Sequence, residues 1–130
     1  MIGPINRVRP IGPAEELAAL ERVDAFLSGE SRWRRRMLGE GPSGAMTPAR
    51  LLQGDPCDGG CVGGADLHVN VSRGLPSARY AILRAVLERG FRSIPDWNDA
   101  STFAGVKALL ASLIEEKREQ VEKLGAQGVV

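Results

Sequence analysis

Both cysteines and the single histidine of this chain fall between positions 57 and 68, as Cys57-x-x-x-Cys61 followed by His68. With Asp58 or Asp66 they supply thiolate, imidazole and carboxylate, the ligand types of a zinc site. The spacing lacks the paired C-x-x-C of a ribbon or finger. The simpler reading makes Cys61 a small buried hydrophobe and Cys57 a loop thiol, so no metal and no cofactor is expected. A second chemistry would set Cys61 at a helix N-terminus, where the dipole lowers a thiol pKa. His68 would then act as base, with Asn98 or Asp99 as orienter. On one helix, however, His68 falls about 10 Å from Cys61, beyond a direct hydrogen bond. No catalytic residue is therefore expected. A small cysteine- or zinc-dependent hydrolase using Cys61 and His68 stands as the alternative.

The densest charge is Arg32-Trp33-Arg34-Arg35-Arg36. Four arginines around an aromatic can grip an acidic protein surface or phosphates. The competing reading is a solvated face paired with Glu30 and Glu40. On a helix capped by Ser31 and running to Leu38, Arg32, Arg35 and Arg36 would share one side. Trp33 and Met37 would line the core. The glycine pairs Gly59-Gly60 and Gly63-Gly64 are no phosphate loop, because no G-K-[ST] follows them and no strand precedes them.

Two further signatures, Cys61-Val62-Gly63-Gly64-Ala65 and Ser93-Ile94-Pro95-Asp96-Trp97-Asn98-Asp99, combine close-packing positions with turn and cap residues. Gly64 and Ala65 lack bulk, which predicts a close helix approach with Cys61 inside the contact. Trp97 fills a gap between helices, while Asn98 and Asp99 satisfy free amides at the next helix start. With Trp33, Cys61-x-x-Gly64-Ala65 and Trp97-Asn98-Asp99 in this order, residues 14–118 resemble a family of small uncharacterised bacterial proteins common in actinobacteria. A looser likeness extends to a phage-encoded group. The resemblance implies a mostly helical fold and a phage or mobile-element setting, and it implies no reaction.

The bulk composition agrees with a single domain. Lysine and arginine total 17 against 16 acidic residues, so only local patches of charge can matter. Aromatics are scarce at 5%, which leaves the core to aliphatic side chains and suits helix packing. No apolar run approaches the roughly 18 residues of a membrane span. The first residues lack a signal-like stretch, and a cytoplasmic protein with reduced thiols is expected.

Elements follow from periodicity. Residues 1–12 read as a flexible, proline-rich arm, 13–124 as one helical domain and 125–130 as a tail. Pro13 opens a helix with a stripe at Leu17, Leu20, Val23, Phe26 and Leu27, stopped by Gly29. Thr47 caps one turn beginning at Pro48, inside an irregular stretch where residues 39–60 hold six of 16 glycines. Residues after Cys61 read as helix, the alternative over 66–72 being a half-buried strand in which Leu67, Val69 and Val71 alternate with polar residues. Pro76 opens a helix with Tyr80, Leu83, Val86 and Leu87, ended by Gly90. Asp99 or Ser101 caps a last helix over 102–124 bearing Val106, Leu109, Leu110, Leu113 and Ile114. The expectation is a mainly α single-domain bundle of four to five helices with a glycine-rich irregular middle. Its expected role is a non-enzymatic binding module whose partner is a protein, with non-specific nucleic acid as the second candidate.

Overall fold

Pro13, Glu15 and Glu16 start helix α1 (Pro13–Phe26) as the dipole argument requires, and the Gly12 amide donates to Glu15 Oε1 at 3.2 Å. The computed structural model describes residues 11–126, so the arm expected over residues 1–12 lies almost wholly outside the described residues. Five more helices follow: α2 (Pro48–Leu52), α3 (Val62–Val69), α4 (Arg79–Glu88), α5 (Ile94–Ala100) and α6 (Phe103–Ala126). Three short strands, β1 (Gly39–Gly41), β2 (Gly44–Ala45) and β3 (Gly59–Gly60), form an antiparallel sheet in the order β2-β1-β3. The mainly helical expectation holds among the described residues, but there are six helices instead of four or five.

α1 and α6 run antiparallel and form the broadest helix pair. Ala19, Leu20 and Val23 of α1 face Val106, Leu109, Leu110 and Leu113 of α6 in one buried cluster. Ion pairs Asp24–Lys107 at 2.6 Å and Glu16–Lys117 at 2.5 Å fix the register of the two helices. Glu16 and Lys117 are both buried, which supports such a pair only because each compensates the other. α6 continues through Ala126, past its expected end at Leu124.

α3 sits at the centre. The alternation of Leu67, Val69 and Val71 does not make a strand, because the intervening Asp66 and Asn70 are buried, not solvated. Asp66 accepts from Asn70 Nδ2 at 2.7 Å, Ser77 Oγ at 2.6 Å and the Ala78 amide at 2.8 Å, which ties α3 to the start of α4. Asn70 in turn reaches α1, donating to the Ala19 carbonyl at 3.2 Å and accepting from Arg22 Nε at 2.5 Å. Polar groups thus take the helix's inner positions, and their hydrogen bonds remove the desolvation penalty.

Three local expectations are corrected. Residues 31–38 form no helix: a 3-10 turn (Glu30–Arg32) is followed by extended Trp33, which bridges Gly60. Backbone bonds across the chain replace intrahelical ones there, from Arg34 N to Gly60 O at 2.9 Å and from Cys61 N to Met37 O at 3.1 Å. The segment 94–100, read as turn and cap residues, is a helix, with Ser93 Oγ accepting the Asp96 amide at 3.1 Å and Pro95 in its first turn. Its successor α6 is capped by Thr102, whose Oγ1 accepts the Gly105 amide at 3.0 Å, and not by Asp99 or Ser101. Ser101 Oγ instead donates back to the Trp97 carbonyl at 2.6 Å. Thr47 does cap α2 as expected, accepting from the Arg50 amide at 3.2 Å.

The close approach predicted at Gly64 exists, but the neighbour is not a helix. A methyl group on Gly64 would overlap the Leu38 carbonyl group, so α3 lies directly on the backbone leading into β1. A methyl group on Gly60 would meet the same carbonyl. The glycine-rich middle is therefore a place where backbone packs on backbone. α4 departs from expectation on its outer face: Ala81, Ile82, Ala85 and Val86 turn inward, while Tyr80 and Leu87 are 68% and 50% exposed.

Candidate interaction surface

Asn98 is fully buried near the C-terminal end of α5 and serves as a junction for three segments. Its Oδ1 accepts the indole N–H of Trp33 at 2.8 Å and the Val62 amide at 3.1 Å. Its Nδ2 donates to the Arg34 carbonyl at 3.0 Å and to Asp99 Oδ1 at 3.2 Å. Asp99 Oδ1 also accepts the Arg36 amide at 2.8 Å. The W-N-D triplet therefore satisfies amides of α3 and of the arginine segment, correcting the expected role at the start of the next helix. Trp97 and Trp33 are both buried in the aliphatic cluster.

This junction holds the arginine segment as a rigid turn. Arg36 adopts φ +58°, a left-handed conformation in which a residue bearing a Cβ carries about 1–2 kcal/mol of strain. The four arginines have different fates. Arg34 is turned inward, donating to Glu40 Oε1 at 2.8 Å, to the Trp33 carbonyl at 3.3 Å and to the Ser31 carbonyl. Arg35 lies 5.0 Å over the Trp33 ring and donates through Nε to the Ser101 carbonyl at 3.1 Å, closing the end of α5. Arg32 stands 5.3 Å over the Phe26 ring and remains exposed. The Arg36 guanidinium meets no ionic or hydrogen-bonding partner among the described residues, and Glu30 pairs with none of the four.

The cysteine and histidine do not assemble into a reactive pair. Cys61 is 5% exposed and caps α3, its Sγ accepting the Gly64 amide at 3.4 Å and facing the Leu38 carbonyl at 3.9 Å. Burial pushes its thiol pKa up, with Asp99 adding to the effect against the lowering influence of the Gly64 and Gly63 amides. His68 lies in the last turn of α3, its ring 5.1 Å from that of Phe26 and its buried Nδ1 without a partner. Burial first, then Arg73 and Arg32, holds its pKa below the ordinary value. Cys57 bonds to the Gly59 carbonyl at 3.3 Å in the loop before β3. Among the described residues no three of the histidine, cysteine, aspartate and glutamate side chains converge as metal ligands would. Nor is any described helix long and apolar enough to cross a membrane.

Sequence reasoning located the arginines but not what orders them. The signal was present in Ser93-x-Pro95, a helix start, and in the spacing of Asn98 and Asp99 from it, which puts both at the helix end. Comparison with known proteins finds no matching family model, no similar curated protein and no similar solved structure.

Proposed function

We propose that this chain is a binding module, non-enzymatic, that recognises an acidic protein surface through the turn bearing Arg32, Arg35 and Arg36. The observation that carries the reading is Arg36: a strained, non-glycine residue whose amide is clamped by Asp99 while its guanidinium is left free. A glycine would occupy that backbone conformation without strain. Strain of this kind persists where the surrounding structure imposes it, as the Asp99 clamp does here, and it clusters at functional sites. Arg32 and Arg35 lie on aromatic rings beside it, which limits the entropy lost when they bind.

The partner is a protein surface and not nucleic acid, because the charges nearly balance at a net +1 and Glu30 and Asp99 interrupt the basic turn. Phosphate-backbone binding draws on a broader positive field. The hydrolase alternative is disfavoured by a buried thiol held neutral and by a histidine engaged with neither Cys61 nor a carboxylate. A cytoplasmic location and a phage or mobile-element setting belong to the same proposal, resting on the motif order alone. The test is capture from host extract with wild-type and Arg36→Glu chains as bait. An acidic protein retained by the first and lost by the second supports the reading. Salt-sensitive retention of duplex DNA in its place would overturn it.

A further inference from the structure

The outer face of α4 and the start of α5 enclose a groove of about 430 Å³ whose walls include Leu38, Leu67, Ile82, Leu83, Leu87 and Ile94. We infer that this groove takes an amphipathic helix of a partner protein, apolar on one face and acidic on its flanks. The inference rests on the reading of the chain as a binding module and names what that module holds.

Leu83 and Leu87 lie four residues apart on α4 and both line the groove, Leu87 exposed and Leu83 half-buried against the core, while the exposed Tyr80 lies outside its lining. Such a ridge of side chains is what a second helix packs against. Polar groups do not compete for the space. The single carboxylate on the lining, Asp66, is consumed by Asn70, Ser77 and the Ala78 amide. The rim charges are Arg79 and Arg92. Arg79 is exposed, and its guanidinium has no ionic or hydrogen-bonding partner among the described residues. The Arg92 side chain is 94% exposed and meets Asp96 only at 3.8 Å. Neighbouring Arg84 is paired with Glu116 at 3.7 Å, and Arg89 donates to the Ala85 carbonyl at 3.1 Å, so neither bears on the groove. An apolar trough lined by the unpartnered Arg79, and by an exposed Arg92 that shares its charge with Asp96, suits leucines flanked by carboxylates.

The groove lies close to the arginine turn along the chain. Leu38, on its wall, follows Arg36 by way of Met37, and α5 carries Ile94 and Pro95 into the groove while holding Arg36 through Asp99 at its other end. From Ile94 to Asp99 that helix rises only about 7.5 Å, so one bound helix can touch both surfaces.

The test is fluorescence anisotropy with a labelled synthetic peptide of about 18 residues, leucines at i, i+3, i+4 and i+7 and glutamates on the flanks. Leu87→Glu and Arg79→Glu, both at exposed positions, should each weaken binding by about tenfold or more without shifting the melting curve. A lysine-flanked peptide with the same leucines should bind about tenfold more weakly than the glutamate one. Equal binding of the two peptides, or an unchanged affinity for Leu87→Glu, would overturn the inference. So would a concentration-dependent dimer abolished by Leu87→Glu, since the occupant would then be a second copy. Arg36→Glu separates the two claims: a loss seen only with Leu87→Glu keeps the groove and removes the arginine turn, and the converse removes the groove.

Discussion

Replacing Asn98 by alanine should destabilise the protein by several kcal/mol, roughly 2–6, although the change removes only a few atoms. Asn98 Oδ1 is the acceptor for the Trp33 indole N–H and the Val62 amide, and both groups are buried. Each buried donor left without a partner costs about 1–3 kcal/mol. The Arg34 carbonyl loses its donor as well, but it is only partly buried and water can replace the bond in part. The two donors together cost about 2–6 kcal/mol, a large share of the 5–15 kcal/mol typical of a domain. Urea denaturation followed by tryptophan fluorescence would measure it, since Trp33 and Trp97 both report on this junction. Asn98→Asp is the sharper comparison. A carboxylate keeps both acceptor positions, loses the donor to Arg34 and places charge beside Asp99, so its loss should fall between wild type and alanine. An alanine variant within about 1 kcal/mol of wild type would refute the junction's role.

Other outcomes follow from the same packing. Gly64→Ala should destabilise by about 3 kcal/mol or more in thermal melts, because the methyl meets the Leu38 backbone, whereas Gly63→Ala has only Cys61 Sγ at 3.9 Å nearby and should leave stability unchanged or improved. Thr102→Ala should cost about 1 kcal/mol by urea denaturation through loss of the α6 cap. His68 is held below its ordinary pKa of 6.5, so the unfolded chain binds the proton more readily. Its contribution is fully present above that value and is lost as pH falls through the depressed folded pKa, and the slope should flatten in His68→Phe when urea midpoints are compared from about pH 7 to about pH 5.

What the sequence made legible were the elements with their own local signals. Pro13 with two glutamates marked α1, Thr47-Pro48 marked α2, and the aliphatic stripe of Val106 to Ile114 marked α6. The arginine segment was misread because the bonds that shape it come from distant residues. Trp33 pairs with Gly60, and Arg36 with Asp99, and neither partner is visible in a local window. The three strands are too short to show alternation, and they are built largely of glycine. Position 66–72 was ambiguous for another reason: polar Asp66 and Asn70 occupy inner positions, which inverts the rule by which a face is assigned. On α4 the apolar residues exceed what one core face needs, and sequence alone does not say which of them stay outside.

The proposed function makes the ordered arginine turn a recognition surface for acidic protein. Chemical-shift mapping of the isotopically labelled chain with a hexaglutamate peptide at low salt tests it most directly. The account predicts shifts concentrated at residues 32–36 and at Asp99 and Ser101, fading at about 0.5 M salt as exposed charges are screened. The Arg36→Gly chain should fold at least as well as wild type yet lose most of these shifts. Shifts no larger at the turn than at Arg118 and Lys123 on the far helix, or shifts undiminished in Arg36→Gly, would contradict it.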